Sequence, residues 1–94
     1  LFAYYGNSIW QRRKRKRMTR KEKNKLEEIG NHVRKLRRIQ WLTQAELAER
    51  MGIAQITLSR IENGTTPMNI LTLGKMAESL EVSATEIMNL DEDL

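Results

Sequence analysis

The chain contains no cysteine, one histidine and one proline among 94 residues. Without cysteine there can be no disulfide, no thiolate nucleophile and no cysteine-ligated zinc. His32 has no pair of carboxylates clustered around it, and it reads as a solvent-facing helix residue rather than a catalytic one. No His–carboxylate–nucleophile set, glycine-rich phosphate loop or metal-ligand spacing is present. These absences point away from an enzyme, and no cofactor or metal is expected. Apolar runs are short as well. The opening LFAYYGNSIW is well below the ~20 residues that cross a bilayer. Its charges follow the apolar stretch, which is not the order of a signal peptide. No membrane association and a cytoplasmic location are the expectations.

Charge is abundant and unevenly placed. The net charge is +5, but residues 1–25 carry ten Lys or Arg against one Glu. Residues 26–94 carry seven basic and eleven acidic residues, and residues 64–94 only one Lys against six acids. Such polarity suits a module that turns one end toward a polyanion. The run QRRKRKRMTRKEKNK has nothing to bury and reads as a disordered arm. Three segments follow: a basic arm over 1–24, a folded domain over 25–90 and an acidic tail over 91–94. The arm is a candidate for sequence-blind contact with DNA phosphates or the minor groove.

The folded part reads as helices joined by short turns. Leu26, Ile29, Val33, Leu36 and Ile39 recur at helical spacing, and Gly30 weakens that helix mildly. Thr19 with Glu22, or Asn24 with Glu27, could cap it; both remain open. Thr43 and Glu46 form the next capping box, with Leu42 and Leu47 as its hydrophobic staple. That predicts a helix over 44–51, with Ala45, Leu47, Ala48 and Met51 inward and Gly52 as a left-handed stop. A second helix runs from Ala54 to the Asn63-Gly64 stop. Ala54, Leu58 and Ile61 share one face of it, while Ile56, Ser59, Arg60 and Asn63 lie roughly opposite and Gln55 lies on the flank. Helix, tight turn, helix, with such an outer face, is the arrangement that reads a major groove. After the GTTPMN loop, a fourth helix is expected over 69–80 with Ile70, Leu73, Met76, Ala77 and Leu80 inward. Ser83 with Glu86, and Val82 with Ile87, then open a short fifth helix over 84–89.

Over residues 26–90 the segments LEEIGNHVRKLR, LTQAELAERMGI, QITLSRIENG and LTLGKMAESLEVSATEIM resemble the lambda-repressor and Cro-like family of helix-turn-helix regulators. The resemblance implies an all-α, compact five-helix DNA-binding domain from a bacterium or phage. It implies DNA contacts from Gln44, Gln55, Ile56, Thr57, Ser59, Arg60, Asn63 and Thr65, and an Arg37–Glu62 pair linking the first helix to the third. The sequence departs from the family pattern at Trp41, where a glycine often ends the first helix. Trp41 must therefore take a costly left-handed conformation, or the turn must differ. It departs again at Ala54, which forfeits about 1 kcal/mol of capping, and at Gly74 inside the fourth helix.

The expected function is sequence-specific binding of double-stranded DNA at a pseudo-palindromic operator by a homodimer, regulating transcription as a repressor. The dimer seam is expected among Met68, Leu71, Ile87, Met88 and Leu90. One rival is an antitoxin that binds its own promoter and a toxin protein. Another is a protein-interaction adaptor without specific DNA contacts.

Overall fold

Thr19 decides where the first helix begins. Its hydroxyl accepts from the Glu22 N–H at 3.1 Å, and the Glu22 carboxylate accepts from the Thr19 N–H at 3.0 Å. That capping box satisfies two donors at the helix start and opens α1 at Arg20–Ile39. Regular structure thus takes in Arg20, Lys21 and Lys23, which the sequence assigns to the arm. The structure, a computed structural model, describes residues 17–88. The expected contacts of Arg12–Lys16, the end of the fifth helix at Asn89, the seam residue Leu90 and the acidic tail lie outside the described residues.

Four more helices follow: α2 (Gln44–Met51), α3 (Gln55–Glu62), α4 (Ile70–Leu80) and α5 (Ala84–Met88). No strand occurs among the described residues. Each start but one has a side-chain cap. Thr43 and Glu46 form the box of α2, Asn69 accepts from the Thr72 N–H at 2.8 Å, and Ser83 with Glu86 opens α5. The exception is α3, whose N-cap residue Ala54 makes no side-chain cap bond.

The ends of α1 to α4 share one device. At the close of α1, the Trp41 N–H donates to Arg38 O and the Leu42 N–H to Arg37 O, at 3.0 and 3.2 Å. The same pair of bonds recurs after α2 at Gly52 and Ile53, after α3 at Gly64 and Thr65, and after α4 at Glu81 and Val82. This is the Schellman arrangement, in which the first residue of each pair must be left-handed. Gly52 and Gly64 take φ of 69° and 73°, and the two non-glycines Trp41 and Glu81 take 61° and 58°. Left-handed geometry costs an L-residue roughly 1–2 kcal/mol, so α1 and α4 are closed at a penalty that α2 and α3 avoid.

The core gathers Val33, Leu47, Leu58, Met76, Leu80 and Ile87, all essentially inaccessible. It lies where α1, the α2–α3 pair and α4 converge, with α5 closing one side. Three expected core residues are outside it. Ile39 and Ile70 are 63% and 82% exposed. Ile39 is the last residue of α1 and Ile70 the first of α4, so the apolar period runs past the packed part of each helix. Ala45 is exposed, because at about 100° per residue it falls off the stripe of Leu47, Ala48 and Met51. The seam residues also divide. Ile87 is buried in the core, and Met88 lines a small apolar cleft with Leu26, Ile29 and Met68. Ile87 is therefore unavailable to a partner, whereas Leu71 is 74% exposed.

Gly30 has a packing reason that its helix propensity hides. A Cβ there would stand 2.5 Å from the carbonyl oxygens of both Ile61 and Glu62. Only glycine lets the α1 backbone approach the end of α3 so closely.

Candidate nucleic-acid interface

The orientation of α3 is fixed by one carboxylate. Glu62 is 1% exposed, and a buried carboxylate is stable only with its lone pairs satisfied. Arg37 supplies a fork: Nε donates to Oε2 at 2.7 Å and Nη2 to Oε1 at 3.0 Å. Its Nη1 reaches Leu42 O at 2.7 Å, tying the α1–α2 turn into the same cluster. Gln44 Nε2 donates to Glu62 Oε1 at 3.0 Å, and Arg34 Nε approaches the same oxygen at 3.4 Å. Burial pushes the Glu62 carboxyl up, but the hydrogen bonds from Arg37, Gln44 and Arg34 outweigh it and leave the group below its ordinary 4.5. The bond to Glu62 likewise raises Arg37. The Arg37–Glu62 pair expected from the sequence is thus present as a buried bidentate contact.

Arg34 is the member that the sequence conceals among ordinary surface cations. It lies one turn before Arg37, and that i, i+3 spacing onto one acid was the available signal. Its Nη2 donates to Asn63 Oδ1 at 2.9 Å and to Glu62 O at 3.4 Å. A guanidinium has only donors, so Asn63 must offer it oxygen, which turns the amide NH2 away from α1. The same logic orients Gln44. Glu62 only accepts, so Gln44 faces it with nitrogen and retains one further N–H on that atom.

With its rear face locked, α3 presents Gln55, Ile56 and Arg60 outward, Ile56 being 58% exposed. Thr57 and Ser59 are half-buried on its flanks. Beyond the helix, the Thr65 hydroxyl donates to Arg60 O at 3.1 Å. Its proton is therefore committed to closing α3. Gln44, Asn63 and Arg34 are gathered around Glu62, while Gln55 and Ile56 begin at the opposite, uncapped end. An exposed row of amide, guanidinium and aliphatic groups can pair with base edges and meet a thymine methyl.

A sequence model of the helix-turn-helix family matches residues 33–87. The chain belongs to the helix-turn-helix family. Its relatives include antitoxin PezA of Streptococcus pneumoniae, 35% identical over 66 residues, a match covering 70% of this chain and 42% of that protein. The HTH-type transcriptional regulator y4dJ of Sinorhizobium fredii is 37% identical over 60 residues, covering 64% of this chain and 78% of its own. Antitoxin HipB of Escherichia coli K12 is 36% identical over 58 residues, covering 62% and 66%. This helix-turn-helix domain thus spans less than half of the pneumococcal antitoxin. Among solved structures, the restriction-modification controller protein C.AhdI of Aeromonas hydrophila superposes with a TM-score of 0.65 at 26% identity. The match covers 66% of this chain and 94% of the controller. These helix-turn-helix relatives are regulators and antitoxins by name, not enzymes. Among the described residues no group of three His, Cys, Asp or Glu could hold a metal ion. No helix there is long and apolar enough to cross a membrane.

Proposed function

We propose that this chain is the operator-binding part of an antitoxin, which recognises double-stranded DNA through α3 and regulates transcription as a repressor of its own promoter. The observation that supports DNA reading is the pairing of a locked rear face with a polar outer one. Glu62 holds α3 against α1 and α2, while Gln55, Ile56 and Arg60 project outward. Register comes from phosphate contacts, for which the outward amide NH2 of Asn63 and the second N–H of Gln44 are suited. Specificity comes from Arg60 toward guanine, Gln55 toward adenine and Ile56 toward a thymine methyl. One helix covers a few base pairs, so a homodimer on a pseudo-palindrome is the operating form.

The antitoxin setting rests on PezA and HipB, both antitoxins by name; a toxin protein is then the second partner. A regulator without a toxin is the competing reading, favoured by y4dJ and C.AhdI. A protein adaptor would have no use for such an outer face on α3. Selection of duplexes from a random pool, followed by fluorescence anisotropy, tests the DNA activity; equal affinity for selected and random duplexes would remove it. Co-expression with the product of the adjoining gene tests the setting. A stable complex whose partner arrests growth when expressed alone supports the antitoxin, and a harmless, non-binding neighbour favours the plain regulator.

A further inference from the structure

Trp41 is the only aromatic residue between positions 17 and 88. It is also the most exposed large apolar residue described, at 91%. An indole so exposed buries little apolar surface and so adds little to the fold. Its backbone works against the fold, because Trp41 occupies the left-handed position that Gly52 and Gly64 occupy at equivalent helix ends. The backbone bonds of that turn need no side chain at all, and glycine would make them with less strain. A large side chain is thus held outward, at a cost, in a turn that does not use it.

The surroundings identify what it meets. Arg37 Nη1 grips Leu42 O at 2.7 Å, and Gln44 Nε2 reaches Glu62 at 3.0 Å. These bonds tie the α1–α2 turn to Glu62 at the C-terminal end of α3, next to the outward amide of Gln44. From Ile29 to Ala45 the chain carries Arg34, Lys35, Arg37 and Arg38 and no acidic residue. Lys35 and Arg38 are exposed. Arg34 and Arg37 are paired with Glu62, so Lys35 and Arg38 are the cations this stretch offers to solvent. The stretch meets the end of α3 through Glu62 and carries a flat apolar ring with one N–H donor and no acceptor. A DNA backbone matches it group by group: phosphate oxygens accept from Nε1 and from the cations, and the deoxyribose offers an apolar face to the ring.

We propose that Trp41 is a DNA-backbone contact, packing on a sugar and donating to a phosphate beside the groove that α3 reads. The proposal rests on the DNA-binding reading above and adds a residue to it. Such a contact is blind to sequence and fixes register.

The test uses the full chain with Trp10→Phe, so that Trp41 is the sole tryptophan, and a duplex selected with the unaltered protein. Adding duplex should shift Trp41 emission to the blue and shield it from acrylamide. Trp41→Gly should bind selected and random duplexes about tenfold more weakly, the worth of a hydrogen bond to a charged group. The same variant should melt at a higher temperature, since its turn is relaxed; loss of binding cannot then be ascribed to unfolding. Trp41→Phe, which keeps the ring and loses the N–H, should fall between. Unchanged affinity in Trp41→Gly, with emission indifferent to DNA, would overturn the assignment and leave the reading of α3 intact. Shielding that grows with protein concentration in the absence of DNA would overturn it too, because a second copy of the chain would then cover the ring. If the unaltered protein bound no duplex, the underlying reading would fail along with it.

Discussion

Glu62 is the residue on which three helices depend, and its environment makes its contribution measurable. Its side chain is fully buried and that of Arg37 is 9% exposed, so removing either partner strands a charge away from water. Arg37→Met or Glu62→Leu alone should cost about 3 kcal/mol, and the double variant should recover much of that loss. Denaturant titration of the four proteins checks it; strictly additive losses would mean that the pair is not coupled. A pH dependence follows from the same site. The folded carboxyl titrates below its ordinary 4.5, so the folded state binds fewer protons than the unfolded chain as acid is added. Its stabilisation is complete above about pH 5 and is lost as pH falls through the folded value. Melting temperature should therefore drop as pH falls below about 4.5. Glu62→Gln should start less stable and show a shallower drop. Equal slopes would shift the effect to other carboxylates, Glu22 and Glu46 first, since their threonine caps lower both.

Between helices, two glycines separate packing from propensity. Gly30→Ala inserts a methyl 2.5 Å from two carbonyl oxygens and should destabilise by about 1–3 kcal/mol despite alanine's better propensity. Gly74 is exposed, and a Cβ there meets nothing within 4 Å, so Gly74→Ala should stabilise by about 1 kcal/mol. Thermal melts of the two should move in opposite directions; a loss in both would mean that Gly74 has a contact of its own. The sequence treats these two positions alike, because propensity is local and the carbonyls facing Gly30 lie some thirty residues away. The helices themselves were legible. Thr43–Glu46 and Ser83–Glu86 are capping boxes within four residues, and Ile29, Val33 and Leu36, like Leu73, Met76 and Leu80, repeat at helical spacing. The Arg37–Glu62 link was legible through family resemblance. Arg34 on Asn63 was not, since its one signal, the i, i+3 spacing from Arg37, is shared by many ordinary surface cations on a helix. Exposure of Ile39 and Ile70 escaped because periodicity gives a face but not how much of its length is packed.

Across the chain, base reading and charge holding should come apart. Arg60 is exposed on the outer face of α3, and a bidentate Arg–guanine contact is worth roughly 1–3 kcal/mol of discrimination. Arg60→Ala should therefore weaken binding to a selected duplex more than to random DNA. The cations from Arg12 to Arg17 should act through counterion release alone, so deleting them should weaken both duplexes similarly and flatten the dependence on salt. Anisotropy over a salt series distinguishes the two; equal loss on both duplexes for Arg60→Ala would remove it from base reading.

The Glu62 cluster has one more consequence. Four side-chain hydrogen bonds to one carboxylate, together with backbones in near contact at Gly30, leave α3 little room to tilt against α1. If the protein cannot flex to meet its operator, the adjustment passes to the DNA. Two such stiff readers in a dimer would demand a set spacing and twist between half-sites. Base pairs that no side chain touches would then be selected for how readily they bend.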